Sequence, residues 1–227
     1  MSITTNEQNL CSSFKKAFPI RRTGGQATKM QLLQILFAIL IVVGSPGSGG
    51  AAETPTDTVK KLIEAVRSFK QETPELSAQD KAANAKAREV AEQVLSLPEL
   101  SQKVLGAEWK KLKSTDQKDF VALIQNLLQK IAYPKSAEFF SDLNIAYENE
   151  QITGAQAIVE TSVTHPEEGQ ITIEYKLYQK GGKWIIDDVL LDGVSLVANV
   201  RSQMQQVIAK ESYQGLVKRI REKLAES

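Results

Sequence analysis

Few side chains in this sequence could do chemistry. Three carboxylates, Asp187, Asp188 and Asp192, crowd into the run Trp184 to Gly193. A carboxylate between apolar neighbours is a candidate general base, but a base alone makes no active site. The chain holds one histidine, His165, and one cysteine, Cys11. That inventory cannot build a multi-histidine metal site or most triads, and no Gly-rich phosphate loop accompanies the acids. His165 precedes Pro166 in loop-like sequence and is expected to be an exposed turn residue. Acids at a strand edge usually face solvent or cap the following turn, and this competes with Asp187 or Asp188 as a base. The sequence calls for no metal and no cofactor.

The acids sit on the last strand of a sheet. Alternation runs through Ala157 to Thr164, Ile171 to Tyr178 and Trp184 to Leu191, with Ile145, Tyr147 and Glu150 suggesting an earlier strand. Gly154 and Lys180-Gly181-Gly182-Lys183 supply turns, so sequential hairpins give an antiparallel meander of about four strands. Asp192-Gly193 then turns the chain into a helix carrying Leu196, Val197, Val200, Met204, Val207 and Ile208 on one face. A separate last helix carries Tyr213, Leu216, Val217, Ile220 and Leu224, with a basic face at Lys218, Arg219, Arg221 and Lys223. That face is read as solvated, with anionic headgroups as the alternative.

Upstream of the sheet the period is helical. Thr54 to Asp57 opens a helix with Val59, Leu62, Ile63, Val66 and Phe69, and Ser77 with Asp80 opens an Ala-rich one. Leu97-Pro98 starts a third, which Gly106 ends. Ser114 with Gln117 is a further capping-box candidate, before a helix over Thr115 to Ala132 whose apolar face is Phe120, Leu123, Ile124, Leu127, Leu128 and Ile131. The fold class is therefore α+β: a twisted antiparallel sheet wrapped by amphipathic helices, in one domain over 53–227.

Residues 1–52 read as a leader and signal peptide. They contain five basic residues and one acid, Glu7, then the apolar run Leu32 to Val43, then Gly- and Ser-rich sequence ending in Ala51-Ala52. That run is short of the roughly 20 residues a membrane span needs. Gly50 and Ala52 suit the −3 and −1 positions of a cleavage site, with an uncleaved anchor as the alternative. Met30 is an alternative start, and Cys11 lies ahead of the apolar run, so it would leave with the leader. The remaining body has 23 basic and 26 acidic side chains, a balance that argues against nucleic acid as a partner.

Order and spacing also carry a resemblance. The run WIIDDVLLDGVSLVANVRSQM resembles the MlaC family pattern W-x-I-x-D-V-x-x-x-G-V-S-L-x-x-x-x-R-x-Q, on Trp184, Ile186, Asp188, Val189, Gly193, Val194, Ser195, Leu196, Arg201 and Gln203. LGAEWKKLKSTDQKDFVALIQNLL is similar to a second family run, through Leu105, Gly106, Trp109 and Phe120, with Ile124 in place of the second Phe. Asn199-Val200-Arg201 stands where the family often has Asn-Tyr-Arg, which removes one aromatic. With the C-terminal SYQGLVKRIREKL, the likeness spans about Thr56 to Leu224. It implies an exported phospholipid-binding protein of the toluene-tolerance type, folded like nuclear-transport-factor-2-like cones around an apolar cavity. Such a carrier would shuttle phospholipid in the Gram-negative periplasm and maintain outer-membrane lipid asymmetry. Its implied partners are an outer-membrane lipoprotein/porin complex and an inner-membrane ABC transporter with its MCE-type lipid-binding component.

Elementary energetics suits that task. At about 0.8 kcal/mol per buried methylene, two acyl chains represent on the order of 20 kcal/mol of transfer out of water. A soluble carrier must match the bilayer with an apolar interior of its own. By periodicity, the expected lining residues are Trp109, Phe120, Ile124, Leu127, Tyr147, Val163, Ile173, Tyr175, Ile186, Val189, Val197 and Met204. For each, ordinary core packing is the competing reading. Two rival functions remain: a small-molecule enzyme on a similar cone with an Asp base, and a periplasmic protein-binding or lipoprotein chaperone. The leader reading predicts that protein recovered from a bacterial periplasm begins at Glu53, which N-terminal sequencing or intact mass will check.

Overall fold

Thr54 sets the first helix. Its hydroxyl accepts from the Asp57 N–H at 3.1 Å and the Asp57 carboxylate accepts from the Thr54 N–H at 3.2 Å, while Pro55 occupies the first turn. This computed structural model describes residues 53–165 and 169–226. The leader and signal-peptide reading of 1–52 lies outside them, as does the middle of the loop after His165.

The helices are α1 (Pro55–Arg67), α2 (Ala78–Val94), α3 (Leu97–Leu105), a 3₁₀ turn (Gly106–Lys111) and α4 (Ser114–Leu127). Ser77 caps α2 by accepting from the Asp80 N–H at 3.0 Å. Ser114 does not cap α4: it is already helical, and the cap position is Lys113, with no side-chain bond. Gln117 instead donates to the Trp109 carbonyl at 3.0 Å and stitches the 3₁₀ turn to the helix.

The helix expected to end at Ala132 runs on. A π-helical turn, Leu128–Ala132, leads into α5 (Tyr133–Phe140). Pro134 lacks the N–H that would bond to the Lys130 carbonyl. A wider turn, closed by the Tyr133 N–H on the Leu128 carbonyl, carries the chain past it.

The meander is present and open: β1 (Ile145–Thr153), β2 (Gln156–His165), β3 (Gly169–Lys180) and β4 (Lys183–Leu191), then a two-residue β5 (Val194–Ser195), paired antiparallel in that order. Gly181 and Gly182, at φ 57° and 76°, form the β3–β4 hairpin turn, which requires positive φ. In β4 the register slips between Lys176↔Asp188 and Leu177↔Ile186, leaving Asp187 as the extra residue of a bulge. Strict alternation would put Ile186 and Val189 on opposite faces. The bulge brings both to the same core.

Two apolar clusters result. The first lies between one face of the sheet and α1, α2 and α5. It holds Val59, Val66, Phe69, Ala91, Val94 and Tyr133 with Val159, Ile173, Tyr175 and Ile186. The second joins α3 and α4 to the final helix α6 (Leu196–Ala225) through Leu105, Phe120, Ile124, Met204, Leu216 and Ile220. Leu128, in the π turn, packs against both.

The two helices expected after Gly193 appear as one 30-residue run broken at Ser212, whose φ of 73° and ψ of 174° are not helical. That region of backbone space is almost reserved for glycine and costs a larger residue roughly 1–3 kcal/mol. The Ser212 hydroxyl recovers little, accepting from the Gly215 N–H at 3.5 Å. Ser212→Gly should therefore stabilise the protein by about 1–2 kcal/mol in urea denaturation, after a few tenths are forfeited with the cap.

Candidate functional site

The three acids that opened the chemical reading all serve the fold. Asp187, the bulge residue, pairs with Lys103 of α3. In the Asp192 turn, at φ 46°, the N–H donates to the Thr172 carbonyl at 2.9 Å and Oδ1 accepts from the Thr172 N–H at 3.1 Å. Asp188 is the most engaged. Its Oδ1 accepts from the N–H groups of Val189 at 2.9 Å and Val197 at 3.2 Å, and its Oδ2 from the Ser195 hydroxyl at 2.6 Å. The Ser195 hydroxyl in turn accepts from the Ala198 N–H at 2.9 Å. This relay satisfies the exposed donors at the start of α6 and places negative charge at its positive end. His165, expected in an exposed turn, ends β2 half-buried, with its ring stacked on Phe139 at 6.2 Å. Among the described residues no group of three or more His, Cys, Asp or Glu could hold a metal ion.

The structure divides the expected lining residues between the two clusters. Val163, Ile173, Tyr175, Ile186 and Val189 belong to the sheet-side cluster. Trp109, Phe120, Ile124, Leu127, Val197 and Met204 belong to the helical one. Tyr147 lies in neither: it is 37 % exposed on the edge strand, with the Lys60 ammonium 5.1 Å from its ring centre. Burial pushes the Tyr133 and Tyr175 phenols well above the usual tyrosine range, so both remain O–H donors. A polar band links α2 to α4 and the π turn: Gln125 donates to Glu92 at 2.7 Å, and Arg88 donates to Gln129 at 3.1 Å.

A groove of about 630 Å³ opens on the other face of the sheet, lined by Glu99, Lys103, Gln151, Gln156, Ile158, Lys176, Tyr178 and Asp187 among others. None of the expected lining residues touches it. Glu99 straps it by accepting from the Tyr178 hydroxyl and, at 2.6 Å, from Lys180. Tyr178 is pushed up to about 12 by desolvation, then by the bond to Glu99. Alternation marks Lys176 and Tyr178 as outward residues, but nothing in the sequence brings α3 against them.

A family model described as MlaC protein matches residues 57–222. The chain belongs to the MlaC family. A comparison with curated proteins finds no match. Among solved structures, the chain is similar to a phospholipid-binding protein from Ralstonia solanacearum, determined in complex with a phospholipid. The two share 19% sequence identity over 78% of this chain and 98% of that one, with a TM-score of 0.58. At that identity the likeness establishes the fold.

The structure gives the MlaC-like runs a physical meaning. Asp188 and Ser195 are two halves of one helix cap. Gly106, at φ +61°, lies under the Arg201 guanidinium, where a Cβ would stand 2.9 Å from Nε. One turn further along α6, Gln205 donates to the Leu105 carbonyl at 2.6 Å. These contacts join α3 to α6. Asp188→Ala removes a charged acceptor of three hydrogen bonds and should cost about 2–3 kcal/mol of stability, to be read by urea denaturation. Asp187→Ala breaks a part-exposed ion pair and should cost at most about 1 kcal/mol.

Proposed function

We propose that this protein is a periplasmic phospholipid carrier that holds acyl chains in its apolar interior. In this reading it passes lipid between an outer-membrane lipoprotein/porin complex and an inner-membrane ABC transporter with its MCE-type component. The observation that carries the proposal is membership of the MlaC family across 57–222. The phospholipid bound by the Ralstonia solanacearum protein of similar fold supports the ligand class.

The arrangement of the interior suits the task. Two apolar clusters meet at Leu128 rather than merging into one core. Parting them would expose hydrocarbon-lined walls on both sides, and acyl chains entering the gap would restore apolar packing to each wall. The twelve residues divided between the clusters and the sheet edge are the proposed lining. The tails need only dispersion and exclusion of water, worth on the order of 20 kcal/mol for two chains, while the headgroup can stay in solvent. No bond is made or broken, so the Asp residues are free to serve the fold, as a cap at Asp188, an ion pair at Asp187 and a turn at Asp192. The leader over residues 1–52 is the proposed export signal.

The test is native mass spectrometry of the full chain expressed in a Gram-negative host and recovered from the periplasm without detergent. About one phospholipid per chain is expected. A bound polypeptide would favour the chaperone reading instead. Val197→Arg, on the half-buried face of α6, and Ile173→Gln, in the sheet, should each lower bound lipid at least severalfold in protein whose circular dichroism is unchanged. A folded variant that keeps its lipid would remove that residue from the lining.

A further inference from the structure

Tyr133 presents an oddity that packing does not explain. The residue is 4% exposed, and its hydroxyl has no hydrogen-bond partner among the described residues. A buried hydroxyl without a partner carries its desolvation cost uncompensated, and phenylalanine would fill the same space without it. Ser101 Oγ is also buried without a partner, but a helical serine can rotate toward the carbonyl four residues back. A phenol is too long to reach its own helix.

The surroundings suggest what the hydroxyl is for. Tyr133 follows the π turn, a feature common at functional sites. Its ring lies 4.9 Å from that of Phe69 in the sheet-side cluster. Four residues before Tyr133, Gln129 donates to the Glu92 carboxylate of α2 at 3.4 Å, and Gln125 donates to the same oxygen at 2.7 Å. Arg88 continues this polar band through Gln129. Phe69 and Tyr133 are buried, while Glu92, Gln125, Gln129 and Arg88 are half-buried, so one hydroxyl lies in hydrocarbon and a polar band with a cation is nearer solvent. A diacyl glycerophospholipid has the matching order: acyl chains, ester carbonyls, then phosphate.

We propose that the Tyr133 hydroxyl, buried and unpartnered in the sheet-side cluster beside Phe69, donates to an ester carbonyl of a bound diacyl lipid. The proposal rests on the carrier reading above. An ester carbonyl is a good neutral acceptor. A free fatty acid would bring a carboxylate close to Glu92 and be repelled, and an ether-linked lipid has no carbonyl to offer. Tyr133 would thus select ester-linked lipids by linkage rather than by headgroup.

The test presents the protein, expressed from its full sequence, recovered from the periplasm and delipidated, with vesicles containing equal amounts of dioleoyl phosphatidylglycerol and its ether-linked analogue of the same chain length. Mass spectrometry then measures the lipid bound after vesicles are removed. The parent should hold the ester form over the ether form by roughly three- to tenfold, the yield of one neutral hydrogen bond. Tyr133→Phe should hold both equally, and after delipidation its midpoint in thermal unfolding should be no lower than that of the delipidated parent. Equal uptake by the parent overturns the proposal and leaves the carrier reading standing, with no variant needed. A Tyr133→Phe protein that keeps the preference, or that unfolds earlier than the parent when both are delipidated, also overturns it. Uptake of neither lipid overturns the carrier reading itself.

Discussion

Asp188 accepts three hydrogen bonds from a segment that turns from strand to helix, and the direction of α6 depends on them. A helix start has N–H groups with no partner inside the helix. Here β4 supplies the acceptor, so the sheet and the last helix are fixed to each other rather than merely adjacent. Once α6 leaves in that direction, its apolar face meets α3 and α4, and Gly106 beneath Arg201 lets the elements approach closely. The acids that look most like chemistry are thus structural.

The consequence is an interior in two parts. The sheet supports one apolar cluster, α6 supports the other, and the π turn around Leu128 spans the boundary. A polar band, Arg88, Gln129, Glu92 and Gln125, ties α2 to α4 and to that π turn. In the proposed carrier, the seam between the two clusters is where the walls would part around a ligand of variable length.

The Ser212 break belongs to the same architecture. It separates the part of α6 held by Asp188 from the part carrying Leu216 and Ile220 onto α4. Tyr213 follows the break directly and its ring lies 6.1 Å from that of Phe120.

Much of this was legible in the residues. Capping signals at Thr54 and Ser77, the Gly-rich hairpin at Gly181 and alternation through β2 and β3 fixed element type and order, because these are local preferences of backbone and side chain. The runs around Trp184 and Leu105 were enough to place the chain in its family. Other features needed the third dimension. The Asp187 bulge appears only when β4 is paired with β3, and it is what brings Ile186 and Val189 to one face. The π turn that carries the chain past Pro134, the division of the apolar residues into two clusters, and the unpartnered Tyr133 hydroxyl are likewise outcomes of packing. Periodicity says that a residue turns away from water. Which neighbours it then meets depends on contacts between segments far apart in the chain, and those only the tertiary structure decides.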